Sequence, residues 1–456
     1  MIIGIDDTDS ADGMCTTYLT AVLIDQLKEL GTIKGLPHLI RLNPNIKYKT
    51  RGNAALSLEI DADQGSEQQI MDTTISLVQD MADMECENTN PGIVFVQDRN
   101  TQDEEFEKAM ESFMWRAIQD VLTAEDACTL IDRFGLAHRG FKNGRGLIGA
   151  LAACGAIACG LPDHTYEMVA YRLPENFGTL RNIDRDSVFR ADEITYPGTW
   201  DTVDRANDSV VFAPHSPDPV LFGIRGDDIR AIQQAFDQIE SETSGLMILY
   251  MTNQGTDMHL LYEHNRDISE DRSYCISGSV QDSPRTIEGG HTFFTIVGDE
   301  CGGDVESDVD GGSDYEVEVG KVGKDGKGIC TIECAAFEPT KGFREVVRKL
   351  VTGDRVRVYG SVQNDTLNLE KIEIIELSTH EIAENPICMS CGKHMKSAGR
   401  NQGYRCKRCG TKESIMDRTS VNRSIKPGIY EVPPSARRHI SMPLVRSADP
   451  RAFPSR

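Results

Sequence analysis

Residues 1–30, MIIGIDDTDSADGMCTTYLTAVLIDQLKEL, decide the fold of this chain. Residues 1–5 form a short apolar run that predicts a buried strand, and apolar residues then recur at helical spacing from Leu19 to Leu30. The polar loop between them contains four aspartates within seven positions, at Asp6, Asp7, Asp9 and Asp12. The segment therefore predicts a strand, an acidic loop and a helix.

The acidic loop has the composition of a metal and phosphate site. Carboxylates delivered from the end of a strand repel one another unless a cation neutralises them, and hard oxygen ligands of this kind suit Mg²⁺. The start of the following helix offers unpaired N–H groups and a positive dipole end, which favour phosphate. Helix capping is the alternative use of such a cluster, although four acids are more than a cap needs. We therefore predict a bound magnesium nucleotide.

Two later segments carry cations that would bind the phosphates of such a nucleotide. Residues 39–52, LIRLNPNIKYKTRG, contain Arg41, Lys47, Lys49 and Arg51. In residues 139–155, RGFKNGRGLIGALAACG, glycines stand among cations directly before an apolar helix. Glycines let backbone N–H groups approach a phosphate closely, but the spacing is neither a Walker loop nor a dinucleotide fingerprint. A glycine turn packed tightly at a helix start is the alternative.

The pattern of strands and helices divides the chain. Its 456 residues are enough for three or four domains. Through residue 268, strands and helices alternate in an open α+β manner, whereas residues 271–380 predict five short strands with one helix before the fourth. The second pattern matches a small OB-type barrel, whose exposed face often binds single-stranded nucleic acid. Residues 299–318 carry nine acids and no base, so we predict a disordered loop inserted between barrel strands.

Four of the thirteen cysteines stand in a metal-binding pattern. Cys388 and Cys391 form one CxxC pair, Cys406 and Cys409 form a second, and fourteen residues separate the pairs. Four thiolates at this spacing can close a tetrahedral zinc site, without which so short a segment could hardly fold. A redox role is the alternative, but the pairs flank a hairpin rich in Gly, Lys and Arg instead of opening helices. We predict a structural zinc ribbon at residues 386–420.

Charge is distributed unevenly along the chain. The net charge is −24, yet residues 388–456 contain 15 Lys or Arg against 4 Asp or Glu. A basic end on an acidic body is typical of a protein that grips an anionic ligand there, and residues 421–456 are predicted to be a flexible cationic arm that contacts RNA. We find no signal peptide, and the longest apolar run, residues 147–158, is shorter than the ~20 residues of a bilayer span. We therefore expect a cytoplasmic protein.

An acidic nucleotide-binding front, an OB barrel and a basic zinc ribbon together predict an ATP-using enzyme that works on RNA. Several longer motifs make this reading specific: GIDDTDS, GMCTTYL, RLNPN, KTRGN, NTNPG, RGFKNGRGLIGALAA, TNQGTD and ECAAFEPTKGFR, followed by the four cysteines. From residue 1 to about residue 409 the chain resembles the archaeal tRNA(Ile) 2-agmatinylcytidine synthetase family.

The resemblance implies a multidomain α+β architecture. It consists of a kinase-like catalytic domain at residues 1–125, a ferredoxin-like domain at residues 126–268, the OB fold and the zinc ribbon. In that family the first two domains bind ATP and agmatine, and the last two grip isoleucine tRNA with a CAU anticodon. The activity attaches agmatine to C2 of the wobble cytidine, so that the anticodon reads AUA instead of AUG. ATP is expected to phosphorylate the cytosine oxygen first, giving a phosphorylated cytidine intermediate.

The resemblance also implies roles for individual residues. Asp6, Asp7 and Asp9 would hold Mg²⁺ and orient the phosphates, and one of them could act as a general base. Thr16 is the expected site of self-phosphorylation, with Thr17 a close competitor. The candidates for nucleotide binding are Lys49, Arg51, Asn53, Lys142, Gly144, Arg145 and Gly146.

Agmatine is a dication that the acidic body should attract, and Asp257 is the candidate carboxylate for it. Two other functions stay open. A non-catalytic RNA-binding protein would use the barrel and ribbon alone, which the intact Asp6, Asp7 and Thr16 argue against. A kinase acting on a small molecule would leave the ribbon and the basic end without a purpose. The sequence indicates neither a membrane nor an obligate protein partner.

Overall fold

The computed structural model describes residues 1–50, 52–63, 65–97, 104–262, 268–298, 331–379, 381–399, 402–414, 417–420 and 422–456. Arg51 and the predicted insertion at residues 299–318 lie outside the described residues. The described chain forms a large mixed sheet with helices, a closed β-barrel and a small cysteine ribbon. Among its helices, none is both long and apolar enough to cross a bilayer.

The first 261 residues contain the large sheet and most of the helices. The strands are β1 (Ile2–Asp6), β2 (Thr32–Arg41), β3 (Ala54–Asp61), β4 (Gly92–Val96), β5 (Ala137–Gly140), β6 (Thr165–Arg172), β7 (Thr199–Trp200), β8 (Val203–Asp204), β9 (Ser209–Val210), β10 (Val220–Gly226), β11 (Ser244–Thr252) and β12 (Leu260–Leu261). The helices are α1 (Thr16–Leu27), α2 (Glu67–Met81), α3 (Glu104–Gln119), α4 (Ala124–Phe134), α5 (Gly146–Cys159), α6 (Arg185–Thr195) and α7 (Ile229–Gln238). The predicted opening order of strand, loop and helix is confirmed.

One mixed sheet runs through this region in the strand order β5-β4-β1-β3-β2-β11-β6-β10-β7. Strands β1 to β5 with helices α1 to α5 are called the first lobe, residues 2–159. The remaining strands of the sheet with α6 and α7 are called the second lobe, residues 160–252. The predicted domain boundary at residue 125 does not coincide with a break in the sheet, because β5 pairs with β4 and α5 packs on β1, β3 and β4.

The first lobe carries helices on both faces of its sheet. Ile3 and Ile5 of β1 pack with α1 and α2, while Ile2 packs with α3 and α5. A Cβ at Gly4 or Gly92 would collide with the backbone of α5. These two glycines therefore let α5 lie directly on β1 and β4. The start of the helix is thereby brought to the end of β1, where the acidic loop begins.

Residues 273–298 and 331–376 form a small closed β-barrel. Its elements are β13 (Ser273–Val280), β14 (Arg285–Thr286), β15 (Thr292–Gly298), β16 (Thr331–Ala336), α8 (Gly342–Val347), β17 (Arg355–Gln363) and β18 (Thr366–Glu376). Strand β13 pairs with β15 and β17, β15 pairs with β16, β16 pairs in parallel with β18, and β18 pairs with β17, which closes the ring. Alternating apolar side chains fill the interior. The predicted small barrel, with its helix before the fourth of the predicted strands, is confirmed.

The rest of the chain contains the ribbon and a carboxy-terminal segment. The strands are β19 (Glu381–Glu384), β20 (Lys396–Ser397), β21 (Tyr404–Arg405), β22 (Lys412–Glu413), β23 (Asp417–Ser420), β24 (Gly428–Glu431) and β25 (Ala452–Phe453). Strands β20, β21 and β22 form the sheet of the ribbon, and β19 pairs with β23.

Residues 422–456, called the carboxy-terminal segment, are not the flexible arm that the sequence predicts. Strand β24 pairs with β18 of the barrel, and β25 pairs with β24. Arg437, with 2% of its side chain exposed, forms ion pairs with Asp201 of the second lobe and with Glu431. Further ion pairs join the segment to both lobe and barrel: Arg438 to Glu370, Arg446 to Asp163 and Asp227, Arg451 to Glu373, and Arg456 to Asp192. The prediction of flexibility was wrong because these partners lie far away in the sequence.

Candidate active site between the two lobes

A cavity of about 1050 Å³ lies where the two lobes meet. Its walls come from the acidic loop, residues 46–50 and 52–54, the start of α5, strands β6 and β10, and His439 of the carboxy-terminal segment. This volume slightly exceeds the usual upper limit for a pocket that holds one small ligand. The cavity therefore has room for more than one substrate.

The acidic loop forms one end of the cavity. Burial, together with the charges of Asp7 and Asp9, raises the pKa of Asp6 well above the ordinary aspartate value. Asp7 has a left-handed backbone, with φ of 61°, and its carboxylate accepts hydrogen bonds from Nη2 and Nε of Arg145 at 2.8 and 3.1 Å. Burial also raises the pKa of Asp7, because desolvation outweighs the nearby guanidinium. Arg145 thus leaves negative charge uncompensated at this end, which favours binding of a cation.

The three carboxylates of the loop do not form a closed metal cage. Within the described residues, the four ribbon cysteines are the one group of three or more ligating side chains whose atoms lie within 4.8 Å of one another. Mg²⁺ commonly takes one or two protein carboxylates and completes its shell with waters and phosphate oxygens. The donor set of Asp6, Asp7 and Asp9 therefore fits a magnesium ion shared with a nucleotide, and not one enclosed by protein.

Gly149 in the first turn of α5 sets the distance between this helix and Asp6. A Cβ at Gly149 would collide with Oδ2 of Asp6, and a Cβ at Gly146 would collide with the backbone of Gly92. The amino terminus of α5, whose N-cap residue Arg145 makes no side-chain capping bond, consequently faces the acidic loop. Its positive dipole end adds to the phosphate-binding character of this region.

Helix α1 begins beside the acidic loop. Its N-cap residue is Cys15, whose side chain makes no capping hydrogen bond, so no aspartate of the loop occupies the cap position. Thr16 and Thr17 both line the cavity, and the hydroxyl of Thr16 accepts a hydrogen bond from Thr8 at 3.1 Å. The carbonyl of Thr17 accepts a hydrogen bond from the Tyr250 hydroxyl at 3.0 Å, so the second lobe contacts the first turn of α1.

Three of the predicted nucleotide-binding residues line the same cavity: Lys49, Asn53 and Arg145. Burial, with the neighbouring charge of Arg438, lowers the pKa of Lys49. Asn53 has a left-handed backbone, with φ of 47°, and its side chain donates to the carbonyl of Asn43 at 2.8 Å. Cationic and amide side chains therefore line the same cavity as the carboxylates of the acidic loop.

The other predicted nucleotide-binding residues are not among the described residues that line the cavity. Lys142 donates to two backbone carbonyls ahead of β4. Gly144 and Gly146 form the turn against β4, where the nitrogen of Gly146 donates to the carbonyl of Asn90 at 3.0 Å. This arrangement matches the alternative of a tightly packed glycine turn. Arg51 lies outside the described residues.

Asp257, the predicted carboxylate for agmatine, lies outside the cavity. Its carboxylate pairs with Lys371 of β18 and accepts a hydrogen bond from the backbone nitrogen of Met442 at 2.7 Å. Only 8% of the Asp257 side chain and 3% of the Lys371 side chain are exposed. A carboxylate neutralised in this way joins the turn after β11 to the barrel and the carboxy-terminal segment, and it is not available to a ligand in the cavity.

Charged residues from strands β2, β6 and β10 also line the cavity. Arg225 of β10 donates through Nε to Glu167 of β6 at 3.0 Å, and Arg41 at the end of β2 donates to the Gln254 side chain at 3.0 Å. Burial alone would raise the pKa of Glu167, but Arg225 and Arg41 hold it below its ordinary value. Glu167 and Arg225 were not predicted from the sequence as site residues. Their signal was a charged residue inside each of two apolar strands, where charges are rare unless paired.

A further part of the cavity wall, formed by the segment that leads into β10, is mainly apolar. Val211 and Phe212 line it, together with Asp218, whose side chain is 2% exposed. One oxygen of Asp218 accepts a hydrogen bond from Arg181 at 3.0 Å, and the other accepts from the Ser216 hydroxyl. A mainly apolar wall that also carries a carboxylate suits an extended aliphatic cation, which would share Asp218 with Arg181. No local sequence pattern distinguished Asp218 from the other aspartates of the chain.

The four predicted zinc ligands come together in the ribbon. The Sγ atoms of Cys388 and Cys409 are 3.3 Å apart, and those of Cys391 and Cys406 are 3.4 Å apart. Zinc bonded to four sulfurs at about 2.3 Å requires sulfurs at mutual contact distance, so the arrangement fits a tetrahedral zinc ion. Neither pair opens a helix, which disfavours the redox alternative.

Comparisons with known proteins point to the same family in every part of the chain that they match. Three family models match: the TiaS TCKD domain at residues 2–74, the TiaS FLD domain at residues 144–259 and the TiaS C-terminal zinc ribbon domain at residues 385–425. A tRNA(Ile2) 2-agmatinylcytidine synthetase TiaS from Methanosarcina acetivorans is 48% identical over 460 residues, which cover 100% of both chains. That from Archaeoglobus fulgidus is 46% identical over 97% of each chain. This chain belongs to the TiaS family.

Solved TiaS structures match the whole chain. A TiaS–tRNA(Ile2)–ATP complex has a TM-score of 0.87 at 43% identity, covering 100% of this chain and 99% of that one. A TiaS–tRNA(Ile2)–AMPCPP–agmatine complex has a TM-score of 0.84 at 41% identity with the same coverage. The resemblance read from the motifs is thus confirmed, and so is the zinc ribbon predicted from the cysteine spacing.

Proposed function

We propose that this chain uses ATP to conjugate agmatine to C2 of the wobble cytidine of isoleucine tRNA with a CAU anticodon. The observation that carries this proposal is the cavity between the lobes. One end is acidic and flanked by Arg145, which suits a triphosphate with its cation, and another part of the wall is mainly apolar and carries Asp218. Solved TiaS relatives are complexes with tRNA(Ile2), ATP, AMPCPP and agmatine.

The chemistry requires an activated oxygen. The C2 oxygen of cytosine is a poor leaving group, so an amine does not displace it unaided. Transfer of the terminal phosphoryl group of ATP to this oxygen releases ADP and gives a cytidine phosphorylated at O2. The agmatine amine then attacks C2, the C2–O bond breaks, phosphate leaves and the amine loses its proton. Triphosphate, base and amine must therefore meet in one cavity, where correct orientation supplies much of the rate enhancement.

We assign the triphosphate to the acidic end. Arg145, Lys49 and the amino terminus of α5 provide positive groups for the phosphates. Asp6 and Asp7 would hold Mg²⁺, with Asp9 beside them, and the ion supplies charge neutralisation on the phosphates when it is bound.

Self-phosphorylation is assigned to helix α1. Thr16 and Thr17 both line the cavity at the start of this helix, so both hydroxyls lie on the wall that would hold the nucleotide. Thr16 is the first choice because its hydroxyl already accepts a bond from Thr8, which leaves its own proton available.

We assign agmatine to the mainly apolar part of the wall. Its guanidinium group would pair with Asp218, and its four-carbon chain would lie along Phe212 and Val211. Asp218 replaces Asp257 in this role because Asp218 lines the cavity and Asp257 does not; its carboxylate would be shared between Arg181 and the agmatine guanidinium. The primary amine would then point toward the acidic end, where the base is activated.

We also propose a fold type for the barrel and for each of the two lobes. The barrel has the strand pairing of an OB fold, with β16 and β18 parallel, and the exposed Phe337 beside Phe293 offers a surface on which bases can stack. The first lobe would be the kinase-like part. The second lobe, with α6 and α7 packed together against its antiparallel strands, would be the ferredoxin-like part. Barrel and ribbon would bind the tRNA, and we assign the protein to the cytoplasm, where a tRNA substrate would be met.

The test is an incubation of the purified protein with ATP, radiolabelled agmatine and isoleucine tRNA. We expect label in the tRNA with the CAU anticodon, and none when ATP is omitted. The same tRNA with uridine at the wobble position is the matched control and should remain unlabelled. Hydrolysis of ATP that is indifferent to tRNA would instead support a small-molecule kinase, and tight tRNA binding without transfer would support a non-catalytic RNA-binding protein.

A further inference from the structure

The carboxy-terminal segment reaches the cavity as well as joining the parts of the chain. The carbonyl of His439 accepts a hydrogen bond from the backbone nitrogen of Gly255 at 2.8 Å, and the carbonyl of Ile440 accepts from Thr256 and Asp257 at 3.1 and 3.0 Å. These bonds hold the backbone of His439 against the turn that follows β11. A residue near the end of the chain is thus fixed beside the two lobes.

The imidazole of His439 forms part of the cavity wall. A Cβ on Gly52 would lie 3.2 Å from its Cδ2, so the ring sits against the backbone of the cationic segment. Its Nδ1 is enclosed and finds no hydrogen-bond partner among the described residues. A buried polar atom without a partner is unfavourable, and a ligand that supplies the partner removes the penalty. Contact between Nδ1 and a ligand in the cavity requires a rotation of the ring, which the soft outer torsion of histidine allows.

Cationic groups surround this imidazole. Arg225, burial and Arg41 lower the pKa of His439 well below the ordinary histidine value, so the ring is neutral at physiological pH. Glu167 is the carboxylate beside this pair of arginines, and it is already bonded to Arg225. A neutral imidazole offers one hydrogen-bond donor and one acceptor. The polar edge of a pyrimidine base also presents both donors and acceptors.

The charge of this wall discriminates between the three proposed substrates. Agmatine is a dication, and two guanidiniums facing a single carboxylate repel it. The triphosphate has its own site at the acidic end beside Arg145. The remaining substrate is a nucleotide of the tRNA. It combines a backbone phosphate, which guanidiniums attract, with a base edge that complements a neutral imidazole.

We propose that His439 hydrogen-bonds the base of the tRNA nucleotide that enters the cavity, while Arg41 and Arg225 attract the backbone phosphate of the same nucleotide. This inference rests on the proposed function and adds that the carboxy-terminal segment supplies a substrate-binding residue to the cavity. His439 is a positioning residue for the base, held ready by the backbone bonds to the turn after β11.

The test compares His439→Ala and His439→Asn in the full-length protein. His439→Ala should raise the KM for tRNA about tenfold, as expected for one lost hydrogen bond at a desolvated site, and leave the KM for ATP and for agmatine within about twofold. The loss should be equal at about pH 6 and about pH 8, because a ring that is already neutral does not titrate there. His439→Asn keeps a donor and an acceptor and should recover part of the tRNA affinity.

His164→Ala is the matched control. His164 belongs to the second lobe, is not among the described residues that line the cavity, and bonds the Tyr166 hydroxyl at 3.2 Å. This variant should keep wild-type KM values. An unchanged KM for tRNA in His439→Ala overturns the inference, and so does an equal rise in all three KM values with a lower thermal midpoint. Failure of the wild-type protein to transfer agmatine would instead remove the proposed function.

Discussion

The carboxylate of Asp6 is buried beside those of Asp7 and Asp9. In its ionised form it therefore destabilises the folded protein. The sequence revealed the aspartates of the loop but not their arrangement. Arg145, which neutralises part of their charge at Asp7, lies 138 positions away. Local pattern also gave no sign of Glu167 as the partner of Arg225 in the same cavity. Residue types were thus predictable here, and the pairing of charges was not.

Asp6→Asn should stabilise the ligand-free protein at neutral pH and abolish its activity. Because folding raises the pKa of Asp6, its contribution to stability is fully present below the unfolded pKa of about 3.9 and is lost as pH rises through the raised folded pKa. The asparagine removes this loss, so the thermal midpoint of the variant should fall less than that of the wild type as pH rises. Agmatine transfer should drop by about 100-fold or more.

Thermal unfolding between about pH 4 and about pH 8, together with the transfer assay, checks this prediction. Asp12→Asn is the control, because Asp12 lies in the same loop but is exposed. It should leave both measurements close to wild type. Wild-type transfer by Asp6→Asn would remove Asp6 from the cation site.

Helix α5 was predicted correctly as a helix, but the role of its glycines was not. Its apolar run and leading glycines were read as a phosphate-binding turn, but Gly146 and Gly149 mainly permit contact with β4 and with Asp6. The barrel strands were predicted well because their alternation is local. Helix α6 was missed, since Val188 and Ala191 are the few apolar side chains that it buries and its helical periodicity is weak.

Gly149→Ala should impair catalysis through α5. The added Cβ would collide with Oδ2 of Asp6 and must displace either the carboxylate or the helix. Gly155→Ala is the matched control in the same helix, where a Cβ would lie 3.0 Å from the Met110 carbonyl and far from the loop. Both variants should lose stability, by about 1–3 kcal/mol as for other overpacked sites. Only Gly149→Ala should lose about tenfold or more in kcat, measured relative to folded protein.

Cys406→Ser should unfold the ribbon and weaken tRNA binding. Loss of one of four thiolates removes the closed zinc site on which so small an element depends for folding. We expect zinc content to fall well below one ion per chain and the Kd for tRNA to rise about tenfold or more. Cys128→Ser on helix α4 is the control and should retain both zinc and affinity. A Cys406→Ser protein with an unchanged tRNA binding curve would contradict the role given to the ribbon.

The carboxy-terminal segment defines the architecture of the whole molecule. Composition suggested a free basic arm, but its arginines pair with acids of the body: Asp163, Asp192, Asp201, Asp227, Glu370 and Glu373. No sequence window contains both members of such a pair, so net charge alone could not distinguish an RNA-binding arm from an internal tie. Only the three-dimensional pairing shows that much of this positive charge is already compensated.

Arg437→Ala should be strongly destabilising. The substitution leaves the buried carboxylates of Asp201 and Glu431 without their shared cation, which typically costs about 3–5 kcal/mol in unfolding free energy. Arg451→Ala is the control, since this arginine is 48% exposed and its partner Glu373 keeps a second cation, Arg357; its loss should cost much less unfolding free energy than the loss of Arg437. Denaturant unfolding measures both variants. Equal stability of the two would contradict the role of Arg437 as an internal tie.

The shared sheet also limits how this protein can recombine with its relatives. His38 and Leu39 of β2 pair directly with Met251 and Thr252 of β11. Strands from the beginning of the first lobe and the end of the second lobe are therefore neighbours in one sheet. A chimera that exchanged chains at residue 125 would graft one homologue's α5 onto another's β1 and mismatch the glycine contacts between them. Residues 1–261 should therefore be exchanged between homologues only as one block, whereas the ribbon, whose strands form a separate sheet, could be exchanged as an intact unit.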